Sequence, residues 1–163
     1  MVGRIDIDGM RRALREGDEP SLWRRRALAT LSAVGMADFA IISLYQLGAI
    51  RRLPDLPGRW MDSNRVNASR KAYRLGVPDG PLGALFYAAV VSLTAVGGTR
   101  RTVRPRALEW LLGALVVAGV VSALDYLRDM IFEEKRACPY CLVGAALNVA
   151  MVPHAWREIR NSA

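Results

Sequence analysis

The sequence predicts an all-α membrane protein, a bundle of four transmembrane helices with a short surface helix in its outer loop. Three observations predict it. Hydrophobic residues make up 52% of the 163 although 23% are charged, so the apolar side chains are segregated into blocks. Arg-rich segments separate those blocks, which argues against the core of a soluble helical protein. The only two cysteines, in Cys138-Pro139-Tyr140-Cys141, stand where a charged stretch gives way to an apolar one.

Residues 1–26 are polar and read as a cytoplasmic N-terminal segment. Met10 to Arg15 has the pattern of a basic amphipathic helix lying on a membrane surface, and Asp18-Glu19-Pro20-Ser21 that of a helix start. No cleavable signal is expected, because the first apolar block is too long for one. The membrane domain is expected over 27–156, with spans at about 27–50, 81–98, 107–127 and 138–156, and 157–163 as a cytoplasmic tail. A spanning helix needs about 20 apolar residues. Ala27 to Ile50 is apolar except for Asp38 and Gln46, and Pro81 to Gly98 has no charge. Ala107 to Leu127 carries Glu109 and Asp125 near its ends. Cys138 to Pro153 is short and reaches spanning length only by continuing through His154 and Ala155 to Trp156, an interfacial anchor. Between the first two blocks, Arg51 to Gly80 is too polar to cross a bilayer. It holds the predicted surface helix, Val66 to Leu75, and a Gly76-to-Pro81 turn into the second span.

The distribution of Lys and Arg sets the orientation. With the N-terminus in the cytoplasm, 13 basic residues fall on that side against 10 on the other, and Arg24-Arg25-Arg26 abuts the first span. Both termini are then cytoplasmic, and the thiol motif faces outside, where disulfides persist. The formal charge of +8, nearly all Arg, is accounted for by lipid headgroups beside the spans and calls for no nucleic acid.

Two thiols separated by two residues can close a disulfide across one helical turn. A cysteine at a helix N-terminus has its thiolate stabilised by unpaired N–H groups and the helix dipole. At a membrane boundary this points to electron transfer between protein thiols and something in the lipid. Zinc is a poor alternative, since the only histidine, His154, lies a full apolar segment away. No metal site and no hydrolytic triad is expected. Asp38, near the middle of the first block, costs at least about 2.5 kcal/mol as an ion in a membrane. It is either a proton acceptor or a protonated, hydrogen-bonded structural residue.

Taken together these residues resemble the vitamin K epoxide reductase family, in a bacterial form. Three stretches carry the resemblance: Ile42-Ser43-Leu44-Tyr45; the run from Val66 through Ser69 and Gly76-Val77-Pro78 to Gly83 and Tyr87; and Cys138-Pro139-Tyr140-Cys141-Leu142 with Ala145 and Asn148. The resemblance implies a four-helix bundle in the bacterial inner membrane that binds a quinone, menaquinone or ubiquinone, beneath the outer loop. Cys138 and Cys141 would then be the catalytic thiols, with Ser69, Asp79, Gly83 and Tyr87 around the quinone headgroup. From helix direction alone Cys138 is expected to face a protein substrate, a separate thioredoxin-fold or other thiol protein, and Cys141 to face the quinone, with the swapped assignment left open.

Against the family pattern, the sequence reads as a member lacking the loop cysteine pair, with Ser63 at one such position, and lacking a C-terminal thioredoxin-like domain. Two function classes stay open at this point. One is a quinone-linked thiol–disulfide oxidoreductase. The other is a redox-inactive or dedicated structural, quinone-binding subunit of a larger membrane complex.

Overall fold

The long helices form where the sequence runs through Ala, Leu and other apolar residues, and the first helix and the helix before the outer loop stop close to glycines, Gly17 and Gly48. A computed structural model of the protein describes residues 6–17, 20–96 and 106–160. Six helices follow one another: α1 (Ile7–Glu16), α2 (Pro20–Gln46), α3 (Ser63–Asn67), α4 (Asp79–Ala95), α5 (Arg106–Asp129) and α6 (Pro139–Arg160). A single 3-10 turn (Lys71–Tyr73) lies in the loop after α3. A π-helical turn (Met130–Glu134) extends α5 and ends at Lys135, which takes a left-handed conformation with φ 53°.

The expected four-span fold is corrected. Among the described residues the architecture is all-α with six helices, of which only Pro20–Gln46 and Arg106–Glu134, the latter with its π-helical extension, are long and apolar enough to cross a membrane. The shortfall has a physical origin in each of the other two long helices. At 17 residues, α4 stops short of spanning length. The second half of α6 carries Pro153, His154, Arg157, Glu158 and Arg160, which leaves its apolar part too brief.

The surface helix also differs from expectation. It begins earlier, at Ser63, because the Asp62 carboxylate accepts a hydrogen bond from Arg65 N at 2.9 Å and caps it there. It ends at Asn67, and Ser69 then turns the chain by accepting from Ala72 N. The helix start expected at Asp18-Glu19 lies outside the described residues, as do Arg4, Gly98, Arg100, Arg101, Arg104 and Pro105; α2 itself begins at Pro20.

The four long helices pack in a ring in which α2 meets α4 and α6, and α5 meets α6 and α4. Glycines allow the close approaches. A Cβ at Gly83 would come within 2.0 Å of the Phe39 ring of α2, and one at Gly35 within 2.5 Å of the Tyr87 ring of α4. Leu28, Tyr87, Val90, Leu112, Val116, Met151 and Ala155 form the main core. A smaller cluster of Val66, Met130 and Cys138 lies under the outer loop. Outward-facing side chains of the long helices stay apolar and exposed, among them Leu44, Leu85, Val117, Val121, Val149 and Trp156. In a membrane those side chains meet lipid.

Candidate thiol site and cavity

The outer loop is fixed over one end of the bundle by hydrogen bonds from three directions. From the end of α2, the Tyr45 hydroxyl donates to Asn64 O at 3.2 Å, and Gln46 Nε2 donates to Asn67 O at 3.1 Å. At the approach to α6, Asp62 N donates to Ala137 O at 2.9 Å, and Ala137 N to Trp60 O at 2.7 Å. The third tie is electrostatic: Lys71 pairs with Asp125 at 2.7 Å and with Asp129, both near the end of α5. The Tyr126 hydroxyl adds a bond to Lys71 O at 3.3 Å.

This loop seals Cys138 completely; its exposure is 0%. Cys138 immediately precedes Pro139, the first residue of α6, which puts its sulfur beside the first turn, where the Cys141 N–H reaches it. Cys141 N donates to Cys138 Sγ at 3.2 Å, and the two side chains hydrogen-bond to each other. From the loop, Asn67 Nδ2 donates to Cys138 Sγ at 3.3 Å. The bond with the Cys141 thiol, helped by Cys141 N–H, Asn67 and Ser63 and opposed by burial, lowers the Cys138 thiol from 9.0 to about 7. The neighbouring Cys138 sulfur and burial push the Cys141 thiol well above its ordinary range. One sulfur is thus disposed to be a thiolate and the other a thiol.

Cys141 is only partly buried and forms part of the wall of a cavity of about 500 Å³. The cavity lies between α2, α4, α5 and α6 and is roofed by the loop. Phe39, Ile42, Leu82, Phe86 and Ala145 make its wall largely apolar; Asn67, Asp79, Tyr126 and Asn148 are among its polar groups, and Lys71, Arg74 and Asp125 add charged ones. Asp79 accepts from Gln46 Nε2 at 2.5 Å, and Gln46 Oε1 in turn accepts from Gly80 N at 2.8 Å. Burial raises the Asp79 carboxyl above the usual range, against hydrogen bonds from Tyr126, Gln46 and the backbone that oppose the rise.

Of the residues singled out from sequence, Cys141, Asp79, Gly83 and Tyr87 line this cavity together. Tyr87 is fully buried, and its hydroxyl donates to Gly144 O at 3.2 Å. Ser69 does not line the cavity; it sits in the turn between α3 and the 3-10 turn. Nor does Asp38, which lies on the buried face of α2 with Oδ2 lacking a hydrogen-bond partner. Cys138, expected to be the outward-facing thiol, is the buried one. Asn67, Gln46 and Tyr126 were not anticipated. Gln46 and Tyr126 show in the sequence only as polar side chains within apolar blocks, and Asn67 only as one of many polar residues in the loop, which does not say what each will meet. Among the described residues, no group of His, Cys, Asp and Glu is placed to hold a metal ion.

The pair's chemistry gives a direct expectation for pH. Exchange by the reduced pair needs its singly deprotonated form, which is depleted as pH falls through about 7. The rate with a small disulfide reagent that reaches the pair through Cys141 should therefore rise about tenfold per pH unit below that point and level off above it. Stopped-flow titration of the reduced protein measures this, and a profile still rising tenfold per unit beyond pH 8 contradicts a lowered Cys138.

Comparison with known proteins adds one finding: residues 26–156 match the Vitamin K epoxide reductase family. No curated protein matches the chain. The sequence-based description, a member marked by the loop cysteine pair and the thioredoxin-like domain it lacks, is corrected. The family domain covers most of the chain, and the Cys138–Cys141 pair is kept with its side chains in contact. Its two long apolar helices and its family place the chain in a membrane, and the close cysteine pair gives it a thiol-redox role. The chain belongs to the vitamin K epoxide reductase family.

Proposed function

We propose that the protein is an enzyme that passes electrons from protein thiols through the Cys138–Cys141 pair to a membrane quinone, menaquinone or ubiquinone. The observation that carries this reading is the position of Cys141: its sulfur lies in the wall of a largely apolar cavity and touches the second sulfur behind it. A planar apolar headgroup with two carbonyl oxygens suits such a space, because apolar side chains make most of the wall and polar groups, Asn67, Asp79, Tyr126 and Asn148 among them, are there to meet the oxygens.

The electron balance follows from the geometry. The Cys138 thiolate and the Cys141 thiol join in a disulfide, releasing two electrons and the Cys141 proton to the quinone. The second proton is taken up from water with Asp79 as the relay in the cavity wall, and the products are quinol and disulfide. Asp79 is assigned this role over Asp38 because Asp79 lines the cavity and Asp38 does not. The disulfide is then reduced by thiols of a separate protein. Cys141 is the sulfur such a thiolate attacks, since Cys138 is buried and leaves as the more stable thiolate.

The test is thiol trapping of the purified, reduced protein with and without a short-chain quinone. Conversion of dithiol to disulfide that depends on quinone is the expected result; a redox state indifferent to quinone overturns the reading. Orientation is proposed to follow the Arg distribution, with both termini cytoplasmic and the pair outside in a bacterial inner membrane. A membrane-impermeant maleimide should label the reduced pair in intact cells. Labelling that requires permeabilised cells reverses the orientation.

A further inference from the structure

Asn67 is 97% buried by its 3% exposure, and its amide touches both sulfurs of the pair. Nδ2 donates to Cys138 Sγ at 3.3 Å, and Oδ1 accepts from Cys141 Sγ at 3.9 Å. The orientation of the amide is fixed independently of the sulfurs. Nδ2 also donates to the Ser63 carbonyl at 2.8 Å, and a carbonyl only accepts, so the NH₂ end must face Ser63 and Cys138. Ser63 is itself held: its N–H and hydroxyl both donate to the Asp55 carboxylate, the hydroxyl at 2.5 Å. Asn67 O accepts from Gln46 Nε2, which anchors the backbone on the other side. The amide therefore cannot turn over without breaking several buried bonds.

We propose that Asn67 is a positioning residue that makes the two sulfurs unequal, its N–H holding Cys138 as the thiolate and its carbonyl holding Cys141 as the thiol. This rests on the thiol-redox reading of the pair and deepens it. The consequence is directional exchange. An incoming thiolate bonds to Cys141 Sγ, the Cys138–Cys141 bond breaks, and its electron pair leaves on Cys138 Sγ, where an N–H is already waiting. Attack at Cys138 would instead expel Cys141 onto a carbonyl oxygen, which repels the charge. The amide thus acts in the same sense as the burial of Cys138 and the Cys141 N–H in directing a partner to Cys141.

The test follows the ultraviolet absorbance of thiolate across a pH titration of the full-length, reduced protein in detergent, with no quinone present. Wild type should give an early midpoint near 7. Asn67→Leu, close in shape but without donor or acceptor, should move that midpoint up by about one pH unit, roughly a fivefold loss of thiolate at neutrality. Asn67→Asp, which replaces the donor by a carboxylate, should move it further. Folded variants that keep the wild-type midpoint overturn the proposal.

Should either variant fail to fold, the wild type still decides. With asparagine labelled by nitrogen-15, the Asn67 side-chain amide signal should shift with the same midpoint as the absorbance. An amide signal indifferent to that titration overturns the proposal. The outcome is separable from the quinone reading: a displaced midpoint in Asn67→Leu with no quinone-dependent oxidation in wild type leaves Asn67 standing and removes the quinone.

Discussion

The double variant Cys138→Ser/Cys141→Ser should lose all quinone-dependent thiol oxidation while binding a short-chain quinone within about threefold of wild type, roughly 0.65 kcal/mol at most. A serine hydroxyl is nearly the size of a thiol but has no accessible oxidised pair, so the electron path is cut and the volume is nearly kept. Binding should persist because Cys141 is one residue in a wall otherwise made by Phe39, Ile42, Leu82, Phe86 and Tyr87. Fluorescence quenching on quinone addition reads binding, and thiol trapping of a partner protein reads electron flow. The same variant decides between enzyme and scaffold. Cells that carry it and keep full activity of whatever process the protein serves would show that the pair is dispensable, and the chain would then serve as a membrane-complex subunit. The contact between the two sulfurs, and the lowering of only one of them, speak for the enzyme.

How much of this was legible in the sequence differs by the range of the interaction involved. The Cys138–Cys141 motif declared itself because its chemistry is local, two thiols one helical turn apart at a helix start. The turn before α4 was equally local: Gly76 has φ 75°, and Pro78 precedes the helix as its cap. Segregation of apolar blocks located the long helices, but block length alone overcounted the spans. In α6 the apolar face continues past Cys141 while charged residues appear within the same helix, and in α4 the helix ends at Ala95. Asn67 lay wholly beyond reach, since its meaning comes from Cys138, 71 positions later, and from a carbonyl that fixes its amide. Gln46 was visible as a lone polar residue in an apolar block. That it would hold Asp79, 33 positions on, was not. Ser69 stands beside these as the opposite case: a family-like position that the loop uses for a backbone turn, away from the cavity wall.

Gly83→Leu should prevent assembly of the bundle, and the loss should be partly repaired by a compensating cut at Phe39. The Cβ of any residue larger than glycine at position 83 would overlap the Phe39 ring, so α4 cannot keep its distance from α2. Phe39 has little freedom to yield. It packs on Tyr87 with ring centroids 5.7 Å apart, and its far edge lies 3.0 Å from where a Cβ on Gly144 of α6 would stand. Overpacking a core ordinarily costs about 1–3 kcal/mol when neighbours can shift. Here two helices must separate, and the penalty should reach or exceed the top of that range. Gly83→Ala should show a smaller loss in the same direction, and Gly83→Leu with Phe39→Ala should recover much of the stability by exchanging one volume for the other. Thermal unfolding of the detergent-solubilised protein, followed by helical circular dichroism, orders the four proteins. The double variant carries a second reading, because Phe39 and Gly83 both line the cavity. If the repaired bundle regains its unfolding temperature but quinone no longer oxidises the cysteine pair, then α2–α4 packing shapes the acceptor site as well as the fold. A Gly83→Leu protein as stable as wild type would mean that the two helices do not approach this closely.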